Sequence, residues 1–366
     1  MSSRIHLVAT GGTVGSKRGN GATELEEAER PRILDFLPDG AECGWSSPFS
    51  ILSEDATSAH WTLLARHIAA LPLHRLDAVV VAHGSDTLAW TSAALSYLLR
   101  GIPVPVVVTG ADLPLEDPAS NGPDNFRSAI AFATGERIPG VFACWRHPGE
   151  EAEVHLGTRL LPADPHRDRF RPAAGTAWGR FGAEGFVRLP HSGSPSRADL
   201  AERSGARAWN GSRSLLEGDR LFEDRVLVLP DQPGLDHSSL AEGLRRWKAV
   251  VQLAHHSGTA ASAEGTGSFV GFAREARDAG VPVFAGPSGR HEPYASVLRL
   301  REAGVRSLPD CAWPALVVKI RHLLAIGSLD LLDEDLAWEL LAAGRAGANF
   351  PRTWKEPKSR TGAGRG

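Results

Sequence analysis

An α/β fold is expected, with a doubly wound, mainly parallel sheet and a second, smaller α/β domain. Three observations predict it. The run at 79–82 is continuously apolar, the pattern of a strand covered on both faces, 5–9 is β-like, and 103–110 reads as another buried strand that stops at a glycine. Helical patterns alternate with them, as in strand–helix–strand units of a parallel sheet. A second set of strand-like runs, at 226–229, 249–253 and 281–284, comes after a stretch rich in Gly, Ser, Pro and Ala at 172–215. A length of 366 residues admits one large or two medium domains. The boundary is placed near 215, giving domains at 1–215 and 216–345. The polar, basic tail 346–366 is expected to fray.

Composition narrows the function classes. Hydrophobic residues make up 42% and charged residues 23%, ordinary values for a soluble protein. A formal charge of -3 gives no reason to expect nucleic acid or a membrane surface as partner. No apolar run is long enough to span a bilayer, and residues 1–4 lead straight into a strand pattern without a signal-peptide core. Cys43, Cys144 and Cys311 are far apart and lack metal spacing, so they read as reduced thiols of a cytoplasmic protein.

In chain order, the first strand runs into Thr10-Gly11-Gly12-Thr13. Two glycines let backbone amides approach a ligand, and Thr13 adds a hydroxyl. The bland alternative is a tight strand-to-helix connection. No GxxxxGKS pattern is present after it, so a nucleotide site has only the Gly-Gly turn behind it. The Gly-rich, then acidic stretch 15–29 reads as a mobile surface loop, either a lid, since it directly follows Thr13, or a plain connector.

A short strand is expected at 49–52, ending in Ser53-Glu54-Asp55. The next helix has Trp61, Leu64, Ile68 and Leu71 on one face. The strand at 79–82 breaks into His83-Gly84-Ser85-Asp86-Thr87 before a helix over 88–99. Ser85, Asp86 and Thr87 are all N-cap residue types. They also stand where ligands of open α/β sheets bind, at the carboxyl end of a strand. Both readings remain open at this point. Further strands are expected at 103–109, 140–145 and 155–160, with a helix over 126–134. Beyond 226, helices are expected at 269–279, 314–324 and 329–343. His255 and His256 lack a third ligand at useful spacing, so no metal is expected, nor any cofactor.

With these turns located, the sequence resembles the bacterial-type L-asparaginase/glutaminase family. The matching pieces are Thr10-Gly11-Gly12-Thr13, His83-Gly84-Ser85-Asp86-Thr87, and Thr109-Gly110-Ala111 with Asn121-Gly122-Pro123-Asp124-Asn125 after it, in family order and spacing. The resemblance covers most of 4–330 and is looser after 145. It implies a homodimer or homotetramer and a small amide or amino-acid-like substrate. It implies Thr13 as nucleophile, Ser85 in place of the family's second threonine, and Asp86 as the triad aspartate that also binds the substrate's α-amino group. Ser53 matches the residue that holds the α-carboxylate, and Glu54 stands where a glutamine usually contacts substrate. Glycine-flanked amides near Gly12, Gly84 and Ala111 would supply oxyanion donors.

The family lysine falls by spacing on Pro162, and no lysine occurs between Arg18 and Trp247. Arginine stays protonated and cannot replace it as a base. Lys17 could reach inward only if its loop folds over. The family's loop tyrosine has no counterpart, since the tyrosines are Tyr97 and Tyr294. The first functional reading is therefore an asparaginase-like amidohydrolase. The alternative is a non-hydrolytic homologue that binds an amino-acid-like ligand or serves as a partner subunit.

Overall fold

The computed structural model describes residues 3–19, 23–25, 29–166, 168–265, 267–287 and 294–341. The expected tail at 346–366 lies outside them. The chain divides into two compact units. Of the described residues, the first comprises those up to Asp224, Cys311–Gly327 and Glu334–Leu341, and the second those within Arg225–Asp310 and Ser328–Asp333. The first unit thus runs past 215 and takes back two later stretches that a single cut would assign to the second.

The first unit is built on β1 (Ser3–Ala9), β2 (Ala41–Ser46), β3 (Ala78–Ala82), β4 (Pro105–Thr109), β5 (Gly140–Arg146), β6 (Ala152–Leu156), β7 (Gly179–Gly182) and β8 (Gly185–Arg188). They form one eight-stranded sheet in the order β8-β7-β6-β5-β4-β3-β1-β2. The strands from β2 to β5 are parallel, and β6, β7 and β8 add on antiparallel. Strand residues alternate between two apolar layers. Val79, Val81, Val106 and Val108 face one layer, and Val80, Val107 and Phe142 the other. Helices α1 (Ser58–Ala70) and α2 (Leu88–Leu98) cover the first layer, and α3 (Gly122–Glu136) covers the second. Burial on both faces explains why these strands carry no polar alternation.

The second unit has a four-stranded parallel sheet of Val226–Pro230, Ala249–Leu253, Val283–Gly286 and Arg306–Ser307. Helix Phe269–Asp278 packs Phe269, Phe272 and Ala273 onto it.

Several elements differ from the sequence expectation. In place of a strand at 49–52, Ile51 alone bridges Gly11, and the sheet edge is Ala41–Ser46. That edge strand is half-exposed and carries Glu, Cys, Gly and Ser, so it lacks an apolar run. The sixth strand is Ala152–Leu156, and Leu160–Asp164 instead pairs with Arg169–Pro172 in a separate hairpin. Residues 197–203 and 206–216 form helices inside the Gly/Ser-rich stretch.

The expected helix at 329–343 is a short 3-10 turn, Leu329–Asp333. Beyond it, side chains claim the backbone groups that a helix would pair internally. Glu339 accepts the N–H of Leu336 (3.0 Å) and of Ala337 (2.6 Å). Arg159 donates to the carbonyls of Trp338 (2.6 Å) and Leu340 (2.7 Å). The Arg203 guanidinium lies 3.6 Å from the centre of the Trp338 ring.

Candidate functional site

The site is built from the turns at the carboxyl ends of β1, β3 and β4, together with the turn at Ser53–Asp55. Backbone hydrogen bonds join these segments. Thr10 N–H donates to Ala82 O (3.0 Å), Gly12 N–H to Ile51 O (2.8 Å), and His83 N–H to Thr109 O (2.8 Å). The approach is close enough to require glycine. A Cβ at Gly12 would lie 2.3 Å from Gly84 Cα, and Gly12 also has φ 72°, a left-handed value. A Cβ at Gly84 would lie 2.5 Å from both Cβ and Oγ of Ser53. Gly84 therefore touches both Gly12 and Ser53.

Thr13 opens a single 3-10 turn, Thr13–Gly15, and is partly exposed, as is Ser85. Asp86 and Glu54 are exposed. Ser53 is only 2% exposed, yet no hydrogen bond reaches its hydroxyl among the described residues. Ala111 is buried in the apolar layer with Val107 and Phe126, so it offers the site only backbone. Lys17 is exposed on the hairpin Ser16–Arg18, opposite Glu24 in register. Pro162 lies in the hairpin strand Leu160–Asp164, and Arg159 is taken up by Trp338 and Leu340.

Residues that sequence reasoning passed over hold these loops in place. His83 is buried, and its Nδ1 lies 2.8 Å from Thr10 Oγ1. The Thr10 hydroxyl donates its one proton to Ala82 O (3.0 Å), so Nδ1 of His83 must carry a proton and donate. Nε2 then accepts from Thr91 Oγ1 (2.8 Å), which itself accepts from Trp61 Nε1 (3.1 Å). The Thr87 hydroxyl donates to Ser53 O (2.9 Å). On the fourth loop, Asn125 donates to Gly110 O (2.9 Å), and Asn121 accepts from Asp112 N–H (3.0 Å). A lone histidine directly after a buried strand was the available signal, because a buried polar group must be paired.

Burial lowers His83 to about 4, so the ring is neutral and this tautomer persists at neutral pH. An imidazole whose pKa falls on folding takes its proton first in the unfolded chain. Its stabilisation is complete above pH 6.5 and is lost as pH falls towards 4. The lowering corresponds to ~3 kcal/mol. Burial lowers His155 to about 3 and His322 to about 4, and both act in the same direction. Thermal unfolding measured from pH 7 to pH 4 is expected to show a steady loss of stability. A flat profile would contradict the neutral buried ring.

Among the described residues, no group of three or more His, Cys, Asp or Glu is placed to hold a metal ion. His255 instead pairs with Asp231 at 2.9 Å in the second unit. No helix among the described residues is long and apolar enough to cross a membrane.

Fold and loops together define a class, an asparaginase-like α/β architecture. Residues 4–167 match the family model described as asparaginase, N-terminal. The solved thermostable L-asparaginase from Thermococcus kodakarensis superposes with a TM-score of 0.74 at 22% identity, over 93% of this chain and 100% of that one. L-asparaginase I from Vibrio cholerae gives 0.73 at 21% identity, over 93% of this chain and 99% of that one. At these identities the likeness is one of fold.

Relatives in sequence include two kinds. The D subunit of the glutamyl-tRNA(Gln) amidotransferase of Methanothermobacter thermautotrophicus is 29% identical over 95% of this chain and 77% of its own length. The L-asparaginase of Thermococcus kodakarensis is 31% identical over 43% of this chain and 47% of its own length. The particular likeness thus extends to an amidotransferase component as well as to the bacterial-type asparaginases that the motifs resemble.

Proposed function

We propose that this chain hydrolyses the amide of a small molecule and releases ammonia, with Thr13 as nucleophile. The contact of Gly84 with both Gly12 and Ser53 supports the reading, because the residues next to Thr13 and Ser85 then lie against each other. The Thr13 hydroxyl attacks the amide carbon, and backbone N–H groups around Gly12, Gly84 and Ala111 stabilise the oxyanion. Ser85 and Asp86 serve the proton transfer, and Asp86 also pairs with an ammonium on the substrate. Ser53 and Glu54 contact the rest of the substrate.

Pro162 supplies no base where the family has its lysine. A positioned general base is worth typically 10²–10⁴-fold, so turnover is expected to be slow. A homodimer or homotetramer in the cytoplasm completes the proposal. The test is ammonia release from a panel of primary amides. Thr13→Ala is expected to lower it at least ~100-fold, the low end of what a positioned group contributes. Activity indifferent to that substitution would remove Thr13 from its role.

A second reading is favoured by the amidotransferase relative that spans 95% of this chain. In it the chain is a subunit that binds an amino-acid-like ligand and works with a partner protein. Tight aspartate binding by the isolated chain, with no turnover of any amide, would favour this reading. Rapid turnover by the isolated chain would exclude a purely non-hydrolytic role.

A further inference from the structure

The charge of the site is one-sided. Its loops, at 10–16, 51–56, 83–87 and 110–113, contain Glu54, Asp55, Asp86 and Asp112 and no lysine or arginine. Asp112 is occupied within its own loop, where it accepts the N–H groups of Leu113 (2.7 Å) and Asn121 (3.0 Å). Glu54, Asp55 and Asp86 are exposed, and no ion pair reaches them among the described residues.

The loops that carry these carboxylates adjoin. Ser53 O accepts from Thr87 at 2.9 Å, and Glu54 and Asp86 are the residues next to that bond. Beyond these loops, Arg18 pairs with Asp117, and Lys17 is exposed on the strand Ser16–Arg18, opposite Glu24 in register. The buried Ser53 hydroxyl, 2% exposed and without a partner among the described residues, is a polar atom open to a ligand in the same loops.

We propose that the substrate is a primary amide whose other functional group is a cation, an amine or a guanidine, and which bears no free carboxylate. The proposal rests on the hydrolytic reading above and names the substrate class of that site. Asparagine and glutamine bring a carboxylate along with their ammonium. That carboxylate would have to sit beside Glu54 and Asp86 in loops that supply no lysine or arginine of their own, and like charges at close range repel. A cationic amide meets only attraction.

The reaction balances as amide plus water giving carboxylate plus ammonium. Thr13 Oγ1 bonds to the amide carbon, the C–N bond breaks, and the nitrogen leaves as ammonia with the hydroxyl proton. Water then cleaves the ester and returns that oxygen to Thr13. The product gains a carboxylate beside these acidic loops, which favours its release.

The experiment measures kcat/KM for ammonia release by the full chain from glycinamide, β-alaninamide, asparagine and glutamine, at low and high salt. Thr13→Ala and Glu54→Gln are run alongside. The cationic amides are expected to exceed asparagine at least ~10-fold at low salt, and the margin is expected to shrink as salt screens the acidic loops. Glu54→Gln is expected to narrow the margin by raising asparagine turnover. If asparagine or glutamine is preferred, and Thr13→Ala abolishes that activity, the substrate class is wrong while the hydrolytic reading stands. If none of the amides is hydrolysed by the folded chain, both fall.

Discussion

Alanine at position 12 is expected to abolish most activity while leaving a folded protein. A Cβ there would sit 2.3 Å from Gly84 Cα and 2.4 Å from Gly84 N, both backbone atoms that cannot rotate away. The residue also holds φ 72°, which costs a side-chain-bearing residue of order 1–3 kcal/mol. The two loops must therefore part, which shifts Thr13 relative to Ser85 and Asp86. A shift of about 1 Å at a catalytic group can cost ~10²-fold. Ammonia release is expected to fall by at least that factor, with a modest loss of thermal stability. Gly15→Ala is the control, since a Cβ at Gly15 meets nothing within 4 Å. If Gly12→Ala is as active as the control, the close approach of the two loops has no bearing on function.

How far the molecule could be read from its sequence depended on what each residue touches locally. The strand Ala78–Ala82 was legible because both of its faces are buried and its residues are all apolar. The edge strand Ala41–Ser46 was not, because only one side of it has a neighbour and its composition is that of a loop. Helix α2 was legible in extent. Its burial on nearly every side was not, since this depends on Trp313–Ala325, more than two hundred residues later, where Trp313 meets Trp90 at 5.0 Å between ring centres.

The candidate site divides in the same way. Thr13, Ser85 and Asp86 sit in short motifs that announce a turn. The contacts that join those turns could not be seen in any window of sequence. The His83 ring links Thr10 to Thr91, and Thr87 reaches back to Ser53. Each is a contact between segments that the sheet order brings together. Local chemistry marked where hydroxyls and carboxylates stand, but not that three of these carboxylates go without an ion pair among the described residues.

Long-range contact also decides the fate of the last described segment, and it yields the largest expected loss of stability. Lys319 and Glu339 form an ion pair at 2.6 Å with both side chains 0% exposed. The Lys319 ammonium also donates to Glu334 O. Burial alone would raise the Glu339 carboxyl, but the ammonium and the N–H groups of Leu336 and Ala337 outweigh it and hold the group low. Removing one partner of such a pair leaves the other as an unpaired buried charge, which costs about 3–5 kcal/mol. Lys319→Met is expected to lower the melting temperature by on the order of 10 °C, given ~2–4 °C per kcal/mol in a domain of this size. The further change Glu339→Gln in that variant removes the stranded charge and keeps an oxygen that accepts one backbone N–H. The double variant is therefore expected to recover more than half of the loss. Glu339→Leu is expected to recover less, because the N–H groups of Leu336 and Ala337 then go unpaired in the interior. A Lys319→Met protein as stable as the parent would show that Glu339 does not depend on the ammonium. The segment 334–341 would then be held without that ion pair, through Thr158, Arg159 and Arg203.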